Sequence, residues 1–146
     1  MGELMQKRVG ITCSTFDLLH SGHVMMLREA KTVCDYLICA LQNDPSVDRP
    51  NKNQPIQNIV ERQAQLSAIR YVDEILVYNT EEELMDILGM YQIDVKIMGE
   101  EYRDKDFTGR DLCKQRDIDF YFNKRDHRFS SSDLRKRVVE NTLQTD

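Results

Sequence analysis

Apolar residues in this chain fall in short blocks, separated by stretches whose apolar positions recur at helical spacing. Arg8–Cys13 (RVGITC) is rich in β-branched residues and bounded by turn formers, which predicts a first strand. Ser21–Val33 places Val24, Leu27 and Ala30 at helical spacing, with Met25 and Met26 beside them, and predicts a helix. Tyr36–Leu41 (YLICAL) predicts a second strand. The segment from Asn43 to Asn58 carries Pro45, Pro50 and Pro55 among Asn and Gln, and predicts a long polar loop. Loops of that length in compact domains are usually functional or disordered. Helical spacing returns over Ile59–Ile69, and Glu74–Val77 predicts a third strand. Thr80 then reads as an N-cap with Glu83 completing a capping box, opening a helix to about Tyr91. Val95–Met98 (VKIM) predicts a fourth strand closed by Gly99, and Thr108–Arg116 a helix. Ile118–Phe122 predicts a fifth strand and Ser131–Leu143 a last helix.

Strands alternating with helices, the strands largely apolar, predict an α/β fold: a parallel five-stranded sheet with helices on both faces. No internal repeat and no domain boundary breaks residues 1–146, so one domain is expected. In such sheets ligands bind beyond the carboxyl ends of the strands. That rule directs attention to residues 14–23, 42–54, 99–107 and 123–133.

Composition narrows the function. Acidic residues number 25 and basic residues 20, a net charge of −5, which argues against a globally basic nucleic-acid-binding surface. No run approaches the roughly 20 apolar residues of a membrane span. The first ten residues show no leader-like apolar stretch. Cys13, Cys34, Cys39 and Cys113 form no CxxC pair and no zinc-ligand spacing, so reduced structural thiols in a cytoplasmic protein are expected.

The chemically distinctive residues fall in the windows named above. Ser14–His23 (STFDLLHSGH) sets His20 and His23 three apart where a strand hands over to a helix. A helix start offers free N–H groups and a positive dipole end, and Gly22 lets a phosphate approach the backbone. Two imidazoles there can hydrogen-bond a polyphosphate and stabilise charge developing on it. The same pair also reads as two half-exposed helix-start residues, and as a zinc pair it lacks the usual i, i+4 spacing. Further on, Lys124–Arg128 (KRDHR) precedes Ser130, Ser131 and Ser132. Alone, a serine run before Asp133 reads as helix capping; the flanking arginines add fork-shaped anion binders. Asp17 reads as a loop aspartate capping the next helix. Arg70 reads as a partner of Asp73 or of the helix C-terminus, and Arg62 as a solvated charge or a functional one. Met25, Met26, Met85 and Met90 read as packing residues.

TFDLLHSGH resembles the TFDLLHxGH signature of the cytidylyltransferases, within the nucleotidyltransferase superfamily marked by HxGH, and is most similar to the glycerol-3-phosphate cytidylyltransferase group. Arg70–Glu74 (RYVDE), Ile93–Val95 with Met98–Glu101 (IDV…MGEE), and Arg125 with Ser130–Ser132 resemble further motifs of that family in the same order. Ser14 and Arg128 stand where the family has glycines, and the long loop carries Arg49 and Lys52 where the family has several lysines.

The resemblance implies a Rossmann-like fold and transfer of CMP from CTP to a small phosphorylated alcohol, glycerol 3-phosphate first, with release of pyrophosphate. Choline or ethanolamine phosphate are alternative acceptors. Adenylyl transfer to a cofactor precursor, or nucleotide binding without turnover, are alternative functions. It implies catalytic roles for His20, His23 and Arg125, and nucleotide contacts from Thr15, Phe16, Gly22, Gly99, Glu100 and Ser130–Ser132. Acceptor contacts would come from Asp17, Asp44, Arg62, Arg70 and His127. Mg2+ would bridge triphosphate oxygens with few protein ligands, so no protein metal cage is expected. A homodimer is also implied, and Arg70–Glu74, with an aromatic between opposite charges, suits a self-complementary interface.

Overall fold

The computed structural model describes residues 6–124 and 130–144. All strand pairings are parallel, as the apolar strands require. The elements run β1 (Val9–Ser14), α1 (Ser21–Lys31), β2 (Tyr36–Gln42), α2 (Ile59–Ser67), β3 (Glu74–Tyr78), α3 (Glu81–Met90), β4 (Val95–Gly99), a 3-10 turn (Glu100–Tyr102), α4 (Arg110–Gln115), β5 (Asp119–Asn123) and α5 (Ser131–Gln144). Every predicted strand and helix is present, with ends moved by one or two residues.

The sheet order is β3-β2-β1-β4-β5, an α/β Rossmann-like arrangement. The chain winds outward from β1 to β3, then returns to β4 on the other side of β1. The switch point therefore lies between β1 and β4. Side chains alternate along each strand, and residues opposite in register share a face. One face packs Leu27 and Ala30 of α1 and Leu66 of α2 on Leu37, Cys39, Leu41, Val95 and Ile97. The other packs Leu84 and Leu88 of α3 and Cys113 of α4 on Ile11, Ile38, Ala40 and Tyr78. The described cysteines are free.

Two ends differ from the sequence expectation for physical reasons. The helix expected from Thr108 starts at Arg110 because Gly109 adopts φ 85°, a left-handed conformation that cannot continue a helix. A Cβ there would also lie 2.4 Å from Leu88 Cδ1. At α3 the cap is divided differently from the predicted box. Thr80 Oγ1 accepts from the Glu83 amide at 3.1 Å, but the Glu83 carboxylate reaches back one residue further, to the Asn79 amide at 2.6 Å.

Candidate functional site

A cavity of about 770 Å³ opens at the carboxyl ends of the strands. Its floor is the strand-to-helix turn 15–20, which is strained: Phe16 has φ 48° and Leu18 φ 51°, both left-handed. Non-glycine residues held there cost on the order of 1 kcal/mol each, and such strain collects at functional sites. Burial holds it in place. Phe16 is 1% exposed, its ring 5.8 Å from that of His23.

His20 and His23 form the N-terminal cap of α1. His20 Nδ1 accepts from the Gly22 amide at 3.0 Å, and His23 Nδ1 accepts from the His20 amide at 3.2 Å. Each ring thus keeps Nδ1 unprotonated, which in a neutral imidazole puts the proton on Nε2. Burial, then the neighbouring His20, holds the His23 pKa down to about 4, against a smaller opposing pull from Asp17. The ring centroids stand 4.1 Å apart and both side chains line the cavity. The site therefore holds two uncharged N–H donors at the positive end of an 11-residue helix. A second helix start reaches the same cavity. Ser130, which lines it, caps α5 by accepting from the Asp133 amide at 3.0 Å.

Of the residues expected from the sequence, Thr15, Asp17, His20, Gly22, His23, Gly99 and Ser130 line this cavity. At Gly99 the Glu101 carboxylate closes over the backbone, 2.4 Å from where a Cβ would stand. Phe16 buttresses from below, and Glu100 and Ser132 are exposed outside the lining. Arg125 and His127 lie outside the described residues.

The expected acceptor contacts are distributed otherwise. Asp17 is 5% exposed and accepts from the Ile56 and Gln57 amides at 2.8 and 2.9 Å and from Arg135 Nη2 at 3.0 Å. Burial works to raise its pKa, but these donors together hold it below the usual carboxylate range. Arg62, expected as a solvated or substrate-facing charge, is 2% exposed and sits behind the cavity lining rather than in it. It donates to four backbone carbonyls: Gln57 at 3.0 Å, Thr15 at 3.0 Å, Gln42 at 2.6 Å and Asn43 at 2.5 Å. It ties the ends of β1 and β2 to the long loop. Asp44 accepts from the Ser46 amide and hydroxyl at 2.9 and 2.7 Å and also lies off the cavity. Arg70 is exposed, its guanidinium on its neighbour Tyr71. Asp73 is bound within the chain, by Lys31 Nζ and the Leu37 amide.

The long loop forms one wall through Pro45, Arg49, Lys52, Asn53, Gln54 and Pro55. It is anchored by Arg49 on Glu81 at 2.9 Å and by the Leu18 amide on Gln57 Oε1 at 2.9 Å. Sequence reasoning missed Arg135, Gln42 and Lys96, which also line the cavity. Lys96 had a visible signal, a charge inside the apolar strand VKIM.

Among the described residues no cluster of three or more His, Cys, Asp or Glu is arranged to hold a metal, and no helix is long and apolar enough to cross a membrane.

Two helix N-termini and two imidazoles border one cavity at the switch point of a parallel sheet, an arrangement suited to binding phosphate. The chain belongs to the cytidylyltransferase-like family, whose model matches residues 11–137. It is 35% identical over 109 residues to the bifunctional protein HldE of Gluconacetobacter diazotrophicus, covering 74% of this chain and 22% of that protein. To the bifunctional protein HldE of Campylobacter concisus it is 32% identical over 137 residues, covering 92% of this chain and 28% of that protein. The chain thus spans about a quarter of these relatives. In fold it is similar to a lipopolysaccharide core biosynthesis protein from Thermoplasma volcanium (TM-score 0.58, 21% identity, 94% of this chain and 90% of that one). It is also similar in fold to pantoate-beta-alanine ligase from Francisella tularensis (TM-score 0.54, 16% identity, 99% of this chain and 74% of that one).

Proposed function

We propose that this protein transfers a nucleotidyl group from a nucleoside triphosphate, CTP first, to a phosphorylated alcohol, releasing pyrophosphate. Glycerol 3-phosphate is the simplest acceptor of that class. The observation that carries the reading is the pair of Nε2–H donors on His20 and His23 at the start of α1.

An acceptor phosphate oxygen attacks the α-phosphorus, and the bond to the pyrophosphate oxygen breaks. The acceptor phosphate is already a nucleophile near neutral pH, so no strong base is needed. The obstacles are repulsion between two anions and the charge that grows on the leaving group. Uncharged imidazole donors and helix ends meet the second by stabilising that charge without transferring a proton. With Nδ1 already accepting from the backbone, neither ring takes up a proton without losing a cap bond.

Magnesium fits this site through the nucleotide. Five acidic residues line the cavity: Asp17 is held by Arg135, Glu81 by Arg49, Glu29 by the Tyr121 hydroxyl at 2.9 Å and Asp106 by the Phe107 amide, and with Glu101 they form no cluster of three among the described residues arranged to hold a metal. Mg2+ would therefore take its ligands from triphosphate oxygens and water, and would supply charge neutralisation.

The test is pyrophosphate release with CTP and with ATP against a panel of phosphorylated alcohols. Release with CTP supports the reading, and release only with ATP reassigns the nucleotide. Nucleotide binding with no release under any pairing rejects transfer.

A further inference from the structure

Lys96 is the second residue of β4, opposite Ile11 of β1 in register, and so on the sheet face that carries α3 and α4. It is 5% exposed and lines the cavity. Its ammonium group has three N–H donors. Its neighbours are Met98 Sδ at 3.5 Å and the face of Phe107, 4.4 Å to the ring centroid. Among the described residues no carboxylate lies within ion-pair distance of it. The nearby thiol of Cys13 supplies no counter-charge, because burial pushes its pKa up to about 11 and keeps it protonated despite the opposing pull of Lys96. Buried ammonium groups ordinarily have a paired charge, since the isolated ion is costly to desolvate.

A second donor in the cavity lining is unmet. Gln42 Nε2, in a residue 4% exposed, has no hydrogen-bond partner, while Gln42 Oε1 accepts from Arg49 Nη2 at 3.3 Å. Gln42 lies opposite Tyr78 in register, and its neighbour on the same face, Ala40, packs with Ile11 and Tyr78, so it shares the face of Lys96. The histidines, by contrast, belong to α1, which packs on the other face. The cavity thus holds two regions: one at the histidines, and one with surplus donors across the sheet edge.

We propose that Lys96 is a specificity-determining residue that binds an anionic oxygen on the acceptor, remote from its reacting phosphate. The assignment rests on the nucleotidyl-transfer reading and refines its acceptor: a phosphorylated alcohol with a second anionic group, carboxylate or phosphate, is favoured over glycerol 3-phosphate. The reacting phosphate sits at the histidines, and the second anion meets Lys96.

The test is calorimetric binding of glycerol 3-phosphate, 3-phosphoglycerate and glycerol bisphosphate to the full chain and to Lys96→Met. The two doubly anionic ligands separate a carboxylate from a phosphate as the second group. Wild type is expected to bind at least one of them about tenfold or more tightly than glycerol 3-phosphate, the value of one charge-assisted hydrogen bond. Lys96→Met is expected to lose that preference and still bind glycerol 3-phosphate. Equal binding of all three by wild type, no measurable binding of any at millimolar concentration, or a preference that survives in Lys96→Met overturns the assignment. Equal binding of all three by wild type overturns the assignment even if Lys96→Met fails to fold, and Lys96→Gln, which keeps a polar side chain of similar length without the charge, then serves as the second variant. A Lys96-dependent preference with no pyrophosphate release under any pairing retains the anion site and rejects transfer.

Discussion

Asp17 and Arg135 are 118 residues apart in sequence and 3.0 Å apart in space. Their ion pair fastens the last helix to the loop that carries the histidines, and Asp17 also receives the Ile56 and Gln57 amides. One buried carboxylate thus joins the signature turn, the loop wall and α5. Asp17→Ala is expected to cost about 3 kcal/mol in a denaturation experiment, since it leaves two amides and a guanidinium unpaired. Asp17→Asn should lose less. An alanine variant as stable as wild type would mean that the three segments are held by other contacts.

The histidine assignment predicts a split between turnover and stability. His23→Asn retains a side-chain acceptor for the His20 amide but not the Nε2 donor. Pyrophosphate release should fall about 100- to 1000-fold, as for loss of one preorganised donor. The melting midpoint should move by an amount corresponding to less than about 1 kcal/mol. Activity above a third of wild type would remove His23 from the chemistry.

The depressed pKa of His23 fixes the sign of a pH effect. Between about pH 4 and the ordinary histidine value of 6.5 the unfolded chain binds a proton at this position and the folded chain does not. Stability from His23 is therefore complete above pH 6.5 and declines as pH falls toward 4. Urea midpoints measured across that window should fall with pH in wild type and fall less in His23→Asn. Parallel curves would show that His23 does not titrate abnormally.

Arg62 separates a scaffold role from a substrate role. Arg62→Met strands four carbonyls and should cost about 3–5 kcal/mol, or prevent folding. Nucleotide and acceptor affinity measured on whatever folded fraction remains should be nearly unchanged. A stable Arg62→Met with weakened phosphate binding would restore the direct acceptor contact that the sequence suggested.

The wall formed by the long loop is expected to close over bound nucleotide. Its outer residues Asn51–Gln54 are exposed, whereas Arg49 and Gln57 tie down the two flanks. Trypsin should cut at Lys52 in the free protein, and CTP with magnesium should slow that cut several-fold. Equal rates would make the loop a fixed wall.

A homodimer remains the expectation from RYVDE, and the structure changes how to test it. Asp73 is bound to Lys31 and the Leu37 amide, so Asp73→Lys would unfold the protomer locally rather than report on an interface. Arg70 is exposed, and Arg70→Glu is the cleaner probe. Light scattering should give twice 17.2 kDa for wild type and a shift toward the single-chain mass for Arg70→Glu. A wild-type mass of one chain removes the dimer.

The order and kind of the elements were legible because short, continuous apolar runs and helical spacing are local signals. The ends were less so. Gly109 delays the start of α4 through a backbone angle, and Glu83 chooses the Asn79 amide over that of Thr80, which spacing alone does not distinguish. The histidine pair was legible because both residues and their helix start are contiguous. Arg62 and Asp17 were not, because their partners come from Thr15, Gln42 and Arg135, which only the folded sheet brings together. Lys96 was conspicuous in VKIM, but its face depended on the register with Ile11.

The cap of α1 has a consequence for the energetics of recognition. The atoms that start this helix are the atoms that orient the two rings, so forming the first turn fixes both Nε2–H groups before any ligand arrives. The rotamer entropy of the histidines is surrendered during folding, and nucleotide association is relieved of it. Binding to this half of the cavity should therefore carry a small entropic penalty. Improving the helix start with a conventional serine or aspartate cap would trade that readiness for stability.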